Sequence, residues 1–359
     1  MRVAIDGFWL IGGPPSGKNV LQSIVLEWAS AFPDDDITVV VPNLPDTESS
    51  KLYSNYANMS FKVIRPLIRN HGFWVMFQMG MQAPPADLVF TQNFSPILSR
   101  NRNSHKTVFL HDLIFKERPE WFTLLERVYL NFALVSLQFC QDIVTSSASE
   151  RYRIIRFLGK TRIKEVSHSH LGVPWSIRFA SRKSPNFVAT PENFILVVGR
   201  LNARKNINSV IAAFAMSEEV LPESCQLVVV GTANGKNTEL PADLTLERVI
   251  FAGGVSDGEL AWLYSHCLAF VFPSLDEGFG IPLLEAQYFG ARILSSDIPV
   301  FRELGVSHRF FDPNSLASIA STFEGLQSLK QNIPERGKNA DWLELVTHIR
   351  KTAKRGPYA

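Results

Sequence analysis

Cysteine is scarce in this chain. Three residues of 359 carry it, Cys140, Cys225 and Cys267, and they lie far apart. So few exclude a disulfide framework, and the scatter excludes a zinc site. Buried thiols in a reducing compartment are the expectation. An excess of one charge is also missing: Lys+Arg is 36, Asp+Glu is 34, and the formal net charge is +2. A general nucleic-acid binder would need a clear basic surplus. Long apolar runs are absent too. The most apolar segment, Val128 to Cys140, is interrupted by Asn131, Ser136 and Gln138 and is too short for a bilayer. The start, Met1-Arg2 followed at once by Val3, shows no signal-peptide pattern. A cytoplasmic chain, able to lie on the inner face of the membrane, is expected. Asp34-Asp35-Asp36 has an Asp-x-Asp spacing, but just before a predicted strand it reads as a solvated turn, so no metal site is expected.

What is present is a well-packed composition, 46% hydrophobic and 19% charged, in a chain long enough for two domains. Short β-rich runs alternate with helical patterns. Strands are predicted at Val3–Asp6, Ile37–Val41, Lys62–Ile64, Leu88–Thr91, Val108–His111 and Ile143–Thr145. They recur at Phe194–Val198, Gln226–Gly231, Val249–Ala252, Leu268–Phe272 and Arg292–Ser295. Helices are predicted at Val20–Ala31, Leu124–Gln138, Ser147–Phe157, Asn206–Met216, Asp257–His266 and Pro282–Phe289. Unbroken apolar strands with helices between them give doubly wound parallel sheets. The polar stretch Ser181 to Asn186 reads as a linker. Two Rossmann-like domains, 1–185 and 186–330, are therefore expected to face a cleft, with 331–359 as a helical segment that returns to the first.

The most informative stretch runs from Phe272 to Ala286. A strand ends near Phe272, a loop with Gly278 and Gly280 follows, and a helix starts with Pro282 in its first turn. A helix N-terminus at a strand's carboxyl end suits a diphosphate. Glu277 in the loop and Glu285 in the helix's first turn bracket it, and carboxylates accept hydrogen bonds from sugar hydroxyls. On residues alone, a solvated Glu277 and a Glu285 that complements the helix dipole stay open. A second strand runs into Gly199-Arg200 and then Lys205-Asn206. Two cations so placed can neutralise a diphosphate, and Asn206 suits a helix N-cap. Arg204 is ambiguous.

The string Pro-Ser-x-x-Glu-Gly-Phe-Gly-Ile-Pro-x-x-Glu-Ala, with Gly-Arg…Lys before it, resembles the signature of the family 4 retaining glycosyltransferases, which have the GT-B fold. The resemblance implies that Glu277 contacts the donor sugar, Glu285 the nucleotide ribose, and Arg200 and Lys205 the diphosphate. Gly199, Gly278, Phe279, Gly280 and Ile281 would complete the donor site. It implies further that His111, in the mannosyltransferase-like segment His111-Asp112-Leu113, lies beside the sugar, and that Gly12 and Gly13 belong to a first loop over the donor phosphates. The catalytic set is then His111, Arg200, Lys205 and Glu277, with no metal or other cofactor. The family's usual glycine after the lysine is Asn206 here. Gln92 and Asn93 are acceptor-site candidates.

The function implied is retaining transfer of a hexose to a saccharide or lipid-linked saccharide in polysaccharide or O-antigen biosynthesis, with mannose from GDP-mannose favoured and dTDP-rhamnose or a UDP-hexose open as donor. A nucleotide-sugar epimerase or glycan phosphorylase on the same fold is the alternative. Gly12 to Asn19 also fits the start of a P-loop, but Asn19 replaces the metal-holding hydroxyl and Pro14 and Pro15 remove N–H donors. The basic run Arg151, Arg153, Arg156, Lys160, Arg162, Lys164 reads as a solvated face or a membrane surface, and Phe73-Trp74 and Trp121-Phe122 as apolar partners of it or equally as core.

Overall fold

In the computed structural model, residues 1–46, 51–100, 103–158, 165–188, 191, 193–232, 246–329 and 342–354 are described. The chain divides into two units. The first comprises Met1–Lys116, Leu124–Trp175 and the C-terminal residues from Ala340; the second comprises Glu117–Thr123 and Ser176–Asn339. The change of unit at Trp175 precedes the linker read near residue 185. The excursion of Glu117–Thr123 into the second unit has no counterpart in the sequence reading.

The first unit holds a seven-stranded parallel sheet among the described residues. Its strands are β1 (Arg2–Asp6), β2 (Asp36–Val41), β3 (Met59–Val63), β4 (Leu88–Gln92), β5 (His105–Phe109), β6 (Asp142–Thr145) and β7 (Glu165–His168), in the order β3-β2-β1-β4-β5-β6-β7. Val3, Ala4 and Ile5 are all buried, which is why β1 reads as a continuous apolar run rather than an alternation. The chain winds outward from β1 to β3 and then crosses to β4. This leaves a topological switch between β1 and β4, where ligands of such sheets sit at the carboxyl ends.

The second unit repeats the plan with β8 (Phe194–Val198), β9 (Gln226–Val230), β10 (Val249–Gly253), β11 (Ala269–Phe272), β12 (Ile293–Ser296) and β13 (Arg309–Phe311), in the order β10-β9-β8-β11-β12-β13. Its switch lies between β8 and β11, which pair in parallel. Ile195, Val197, Val229 and Val271 of its strands pack with Val210 and Phe214 of the helix Ile207–Ala215. Two strands escape the sequence reading, β7 and β13. Both are sheet edges, short and half-exposed, so neither carries an apolar run.

The helix Trp342–Lys354 belongs to the first unit. Trp342 Nε1 donates to Val173 O at 2.9 Å, and Arg350 makes a bidentate pair with Asp35 at 2.7 and 2.9 Å. Asp35 also accepts from Trp28 Nε1 and the N-terminal ammonium, each at 3.0 Å. Of Asp34-Asp35-Asp36, Asp34 is an exposed turn residue and Asp36 an exposed first residue of β2, but Asp35 is 1% exposed and not solvated. Burial raises the Asp35 carboxyl, but Arg350 and the other donors outweigh it and hold it at about 2. The three cysteines are free and buried. Trp74 is fully buried, so it is core rather than a surface aromatic. Lys160, Arg162 and Lys164 of the basic run, and residues 331–341 of the C-terminal segment, lie outside the described residues. Among the described residues no helix is long and apolar enough to cross a membrane.

Candidate functional site

The sequence places the two donor motifs of the second unit on separate strands, and the sheet brings them together. Arg200 follows Gly199 at the end of β8, and the loop after β11 carries Glu277. These strands are neighbours. Between them a tight turn forms at Ala203–Lys205, where Asn202 caps by accepting from Lys205 N at 3.1 Å. Arg204 O accepts from Leu275 N at 2.9 Å, which ties this turn to the Glu277 loop.

Glu277 is 8% exposed and sits at the centre of a charge cluster. Lys205 Nζ donates to Oε1, Arg204 Nη1 donates to Oε2 at 2.6 Å, and the buried Ser274 hydroxyl donates to Oε1 at 2.7 Å. Burial alone would raise the Glu277 carboxyl; Arg204 and Lys205 overcome this and hold it at about 2. The ammonium of Lys205 is pulled below its ordinary range by burial, against the opposing charge of Glu277. Its Nζ also lies 4.8 Å from the centre of the Phe272 ring. Glu277 is therefore not solvated, and Arg204, ambiguous from sequence, touches it directly.

Asn206 adopts φ +53 and ψ +28, the left-handed region. That conformation explains why the resembled family uses glycine here, and asparagine is among the few other residues that tolerate it. Asn206 stands at the N-cap of the helix Ile207–Ala215 without capping it by its side chain. Instead its Nδ2 donates to Pro313 O at 2.8 Å, and its Oδ1 accepts from Ser209 Oγ at 2.6 Å.

The helix Ile281–Tyr288 starts one residue before the expected Pro282. Its N-cap, Gly280, has φ +122, which a side chain would oppose, and Pro282 follows in the first turn. Glu285 falls in the second turn, not the first, and no acid occupies the first. It does not complement the helix dipole. It is 6% exposed and accepts from the Tyr264 hydroxyl at 2.9 Å, a partner on the helix Asp257–His266 that no sequence signal marked. Gly278, Phe279 and Gly280 are buried in the same loop, and Ile281 is half-buried. Burial pushes Glu285 up to about 7, although the Tyr264 hydrogen bond lowers it. The folded state then holds a proton between the ordinary value of 4.5 and about 7, so its stabilising effect is lost as pH rises through that window. Glu285→Gln should flatten the melting-temperature profile between those values and raise it above pH 7. An unchanged slope would show that Glu285 titrates as an ordinary carboxyl.

In the first unit a polar group gathers at the carboxyl ends of β1, β4 and β5. His111 lies two residues beyond β5 rather than inside it. Its Nε2 donates to Gln92 Oε1 at 2.9 Å and its backbone N to Asn93 Oδ1 at 3.1 Å. Trp9 faces the His111 ring at 5.3 Å and the His71 ring at 4.7 Å. His71 Nε2 pairs with Asp6 Oδ2 at 2.7 Å. Burial, with His71 adding to it, brings His111 down to about 3, so its imidazole is neutral. Asp112 caps the next turn by accepting from Ile114 N at 3.3 Å. Trp9, His71 and Asp6 were not found from sequence, because an aromatic and two isolated polar residues carry no spacing pattern.

Gly12 and Gly13 do not form an open loop. Gly12 ends the short helix Phe8–Gly12, and the helix Pro15–Ala31 begins two residues after Gly13. A Cβ on Gly13 would come within 2.3 Å of Trp9, so this glycine admits the indole that faces His111. Lys18 N donates to Pro14 O at 2.9 Å within the helix. That amide is therefore spent within the helix and is not free for a phosphate, which speaks against the P-loop reading.

Comparisons with known proteins bear on the fold and on the class of enzyme. The family model described as glycosyl transferases group 1 matches residues 179–340. The O-antigen chain mannosyltransferase RfbU of Salmonella typhimurium is 29% identical over 281 residues, which cover 75% of this chain and 73% of that protein. The serotype-specific mannosyltransferase WbdA of Escherichia coli is 30% identical over 260 residues, but the match spans 65% of this chain and 31% of WbdA. Among solved structures, Anabaena HepE in complex with UDP-glucose has a TM-score of 0.64 at 16% identity, covering 99% of this chain and 98% of that one. The lipopolysaccharide outer core galactosyltransferase WaaB has a TM-score of 0.58 at 17% identity, covering 98% and 99%. At such identities the structures speak to the fold alone, which is the GT-B fold with its two parallel-sheet α/β domains. The chain carries a glycosyl transferases group 1 domain over residues 179–340 and is a glycosyltransferase.

Proposed function

We propose that the second unit grips a nucleotide-diphosphate hexose and that the chain transfers the hexose, with retention and without a metal ion, to a saccharide or lipid-linked saccharide. The observation that carries this reading is the Lys205–Glu277 pair. It sets a phosphate-binding cation against a sugar-binding carboxylate at the ends of two neighbouring strands. In the absence of donor the carboxylate neutralises the lysine. A diphosphate would take over Lys205 while Arg204 and Ser274 keep Glu277 ionised and aimed.

Arg200, Lys205 and the free amides at the start of the helix Ile281–Tyr288 stabilise the departing diphosphate. These fixed charges do the work that a divalent ion does in other transferases. Glu277 holds hexose hydroxyls and Glu285 the ribose. Neutral His111 polarises a sugar hydroxyl and does not act as a strong base. The acceptor oxygen bonds to the anomeric carbon on the face the diphosphate leaves, the carbon–phosphate-oxygen bond breaks, and the acceptor proton passes to a phosphate oxygen.

The two mannosyltransferase relatives favour GDP-mannose as donor and an O-antigen or related polysaccharide as product. Such an acceptor would be met at the inner face of the membrane. A panel of GDP-mannose, UDP-glucose and dTDP-rhamnose tests the reading. One donor should raise the melting temperature by roughly 5–10 °C at a hundredfold excess over its Kd, and transfer should persist in EDTA. No shift with any donor would refute the site. Conversion of donor alone, or of glycan with free phosphate, would turn the reading to an epimerase or a phosphorylase.

A further inference from the structure

The helix Asp257–His266 has its register fixed at its start. Ser256 and Glu259 cap it reciprocally: Glu259 N donates to Ser256 Oγ at 3.3 Å and Ser256 N to Glu259 Oε2 at 2.9 Å. That register sends Ala261 and Tyr264 inward, and both are fully buried. Two other rings clamp the Tyr264 ring. It stands edge-to-face with Phe270 of β11 at 5.2 Å, and it stacks at 6.2 Å on Phe289, at the end of the helix Ile281–Tyr288. Phe270 lies on the strand that leads into the Glu277 loop, and Phe289 follows the helix that carries Glu285. The phenol is thus aimed by the same two elements that build the candidate donor site.

Core filling alone needs no hydroxyl at this position, and the chain uses phenylalanine 26 times against 7 tyrosines. A buried phenol must find an acceptor, and this one finds Glu285 Oε2 at 2.9 Å. Among the described residues Tyr264 is the hydrogen-bond donor to Glu285, no cation pairs with that carboxyl, and no donor meets Oε1. Holding a carboxyl inside with one donor and no cation costs stability that two apolar side chains would not. The groups that act on the pair electrostatically do not relieve it. Asp257, on the same helix, opposes the charged carboxyl, and the buried Cys267 thiol opposes ionisation of the phenol. The pair is arranged as a carboxyl half-satisfied by the protein and half kept for a ligand.

We propose that Tyr264 is a positioning residue of the donor site: by holding Oε2 it fixes the turn of the Glu285 carboxyl group and leaves Oε1 to accept from a ribose hydroxyl of the nucleotide. The inference rests on the donor reading above. It adds a residue that touches no substrate and acts through Glu285. It also makes donor binding sensitive to pH. A ribose hydroxyl donates best to the ionised carboxylate, so the donor binds more tightly as Glu285 loses its proton. Burial raises the Glu285 carboxyl, and the Tyr264 hydroxyl works against that rise. Tyr264 therefore extends donor binding toward lower pH.

Tyr264→Phe tests it, because the substitution removes the hydroxyl and leaves the ring between Phe270 and Phe289. KM for the donor should rise about five- to tenfold, with kcat little changed, since a ribose contact is made alike before and during the transfer. The acid limb of kcat/KM, which reports the free enzyme, should move to higher pH. The fall of the melting temperature with rising pH ascribed to Glu285 should likewise run on to higher pH. A tyrosine that merely filled the core would move neither limb. In a Glu285→Ala background Tyr264→Phe should weaken donor binding no further. An unchanged KM with an unmoved acid limb, or a full separate loss in the Glu285→Ala background, would overturn the inference and leave the donor reading standing. A parent that no nucleotide sugar stabilises would overturn both, and the melting profile, which needs no donor, would still show whether the hydroxyl holds Glu285.

Discussion

Lys205→Ala should lower the turnover of donor by roughly 10²–10³-fold, the loss typical when one preorganised group facing a developing negative charge is removed. The fall should appear mainly in kcat, because the charge on the departing diphosphate grows toward the transition state. Unfolding is not the expected cause. With Lys205 gone, Glu277 keeps Arg204 at 2.6 Å and the Ser274 hydroxyl at 2.7 Å, so the melting temperature should change little. Steady-state kinetics at saturating donor, with a melt on the same preparation, checks both statements. Near-parental kcat would remove Lys205 from the chemistry.

Glu277→Ala should act on stability as well. Removing the shared partner of two cations leaves Lys205 and Arg204, at 12% and 22% side-chain exposure, without their anion. Breaking a buried pair from one side costs about 3–5 kcal/mol, and the lower end is expected because both long side chains can turn toward water. Denaturant unfolding of the second unit measures it. Adding Lys205→Ala should recover part of the loss, since one stranded charge disappears. The parent's dependence on pH gives a second check. Glu277 is held at about 2 against an ordinary 4.5, so its stabilising effect is present above the ordinary value and is lost as pH falls toward about 2. Glu277→Ala should show less of that acid loss. A variant as stable as the parent at neutral pH, with the same acid limb, would mean that the cluster is not a structural unit.

Much of this was legible in the chain because buried parallel strands announce themselves. Leu227 to Val230 is all apolar and all buried, and the loop between β11 and the helix Ile281–Tyr288 is marked by Gly280 and Pro282, whose backbone demands are local. Local demands are what a sequence states plainly. What it hides is pairing between distant positions. Arg204 gains its meaning from Glu277 across adjacent strands, and Tyr264 from Glu285 across two helices; neither pair has a spacing that could reveal it. Gly13 belongs with Trp9 for the same reason, through packing rather than through a phosphate. Asp35 misled because three consecutive acids look solvated, whereas one of them meets Arg350 on the last described helix. Edge strands β7 and β13 were missed because an edge need not be apolar.

On the proposed reading, Arg200, Lys205, Glu277 and Glu285 serve one nucleotide-diphosphate sugar. The most direct measurement is a crystal structure with intact GDP-mannose bound. It should show the diphosphate against Arg200, Lys205 and the first amides of the helix Ile281–Tyr288, with Glu277 on the hexose and Glu285 on the ribose. A diphosphate seated elsewhere, with the Lys205–Glu277 pair unbroken and the phosphates carried by a metal ion, would contradict it.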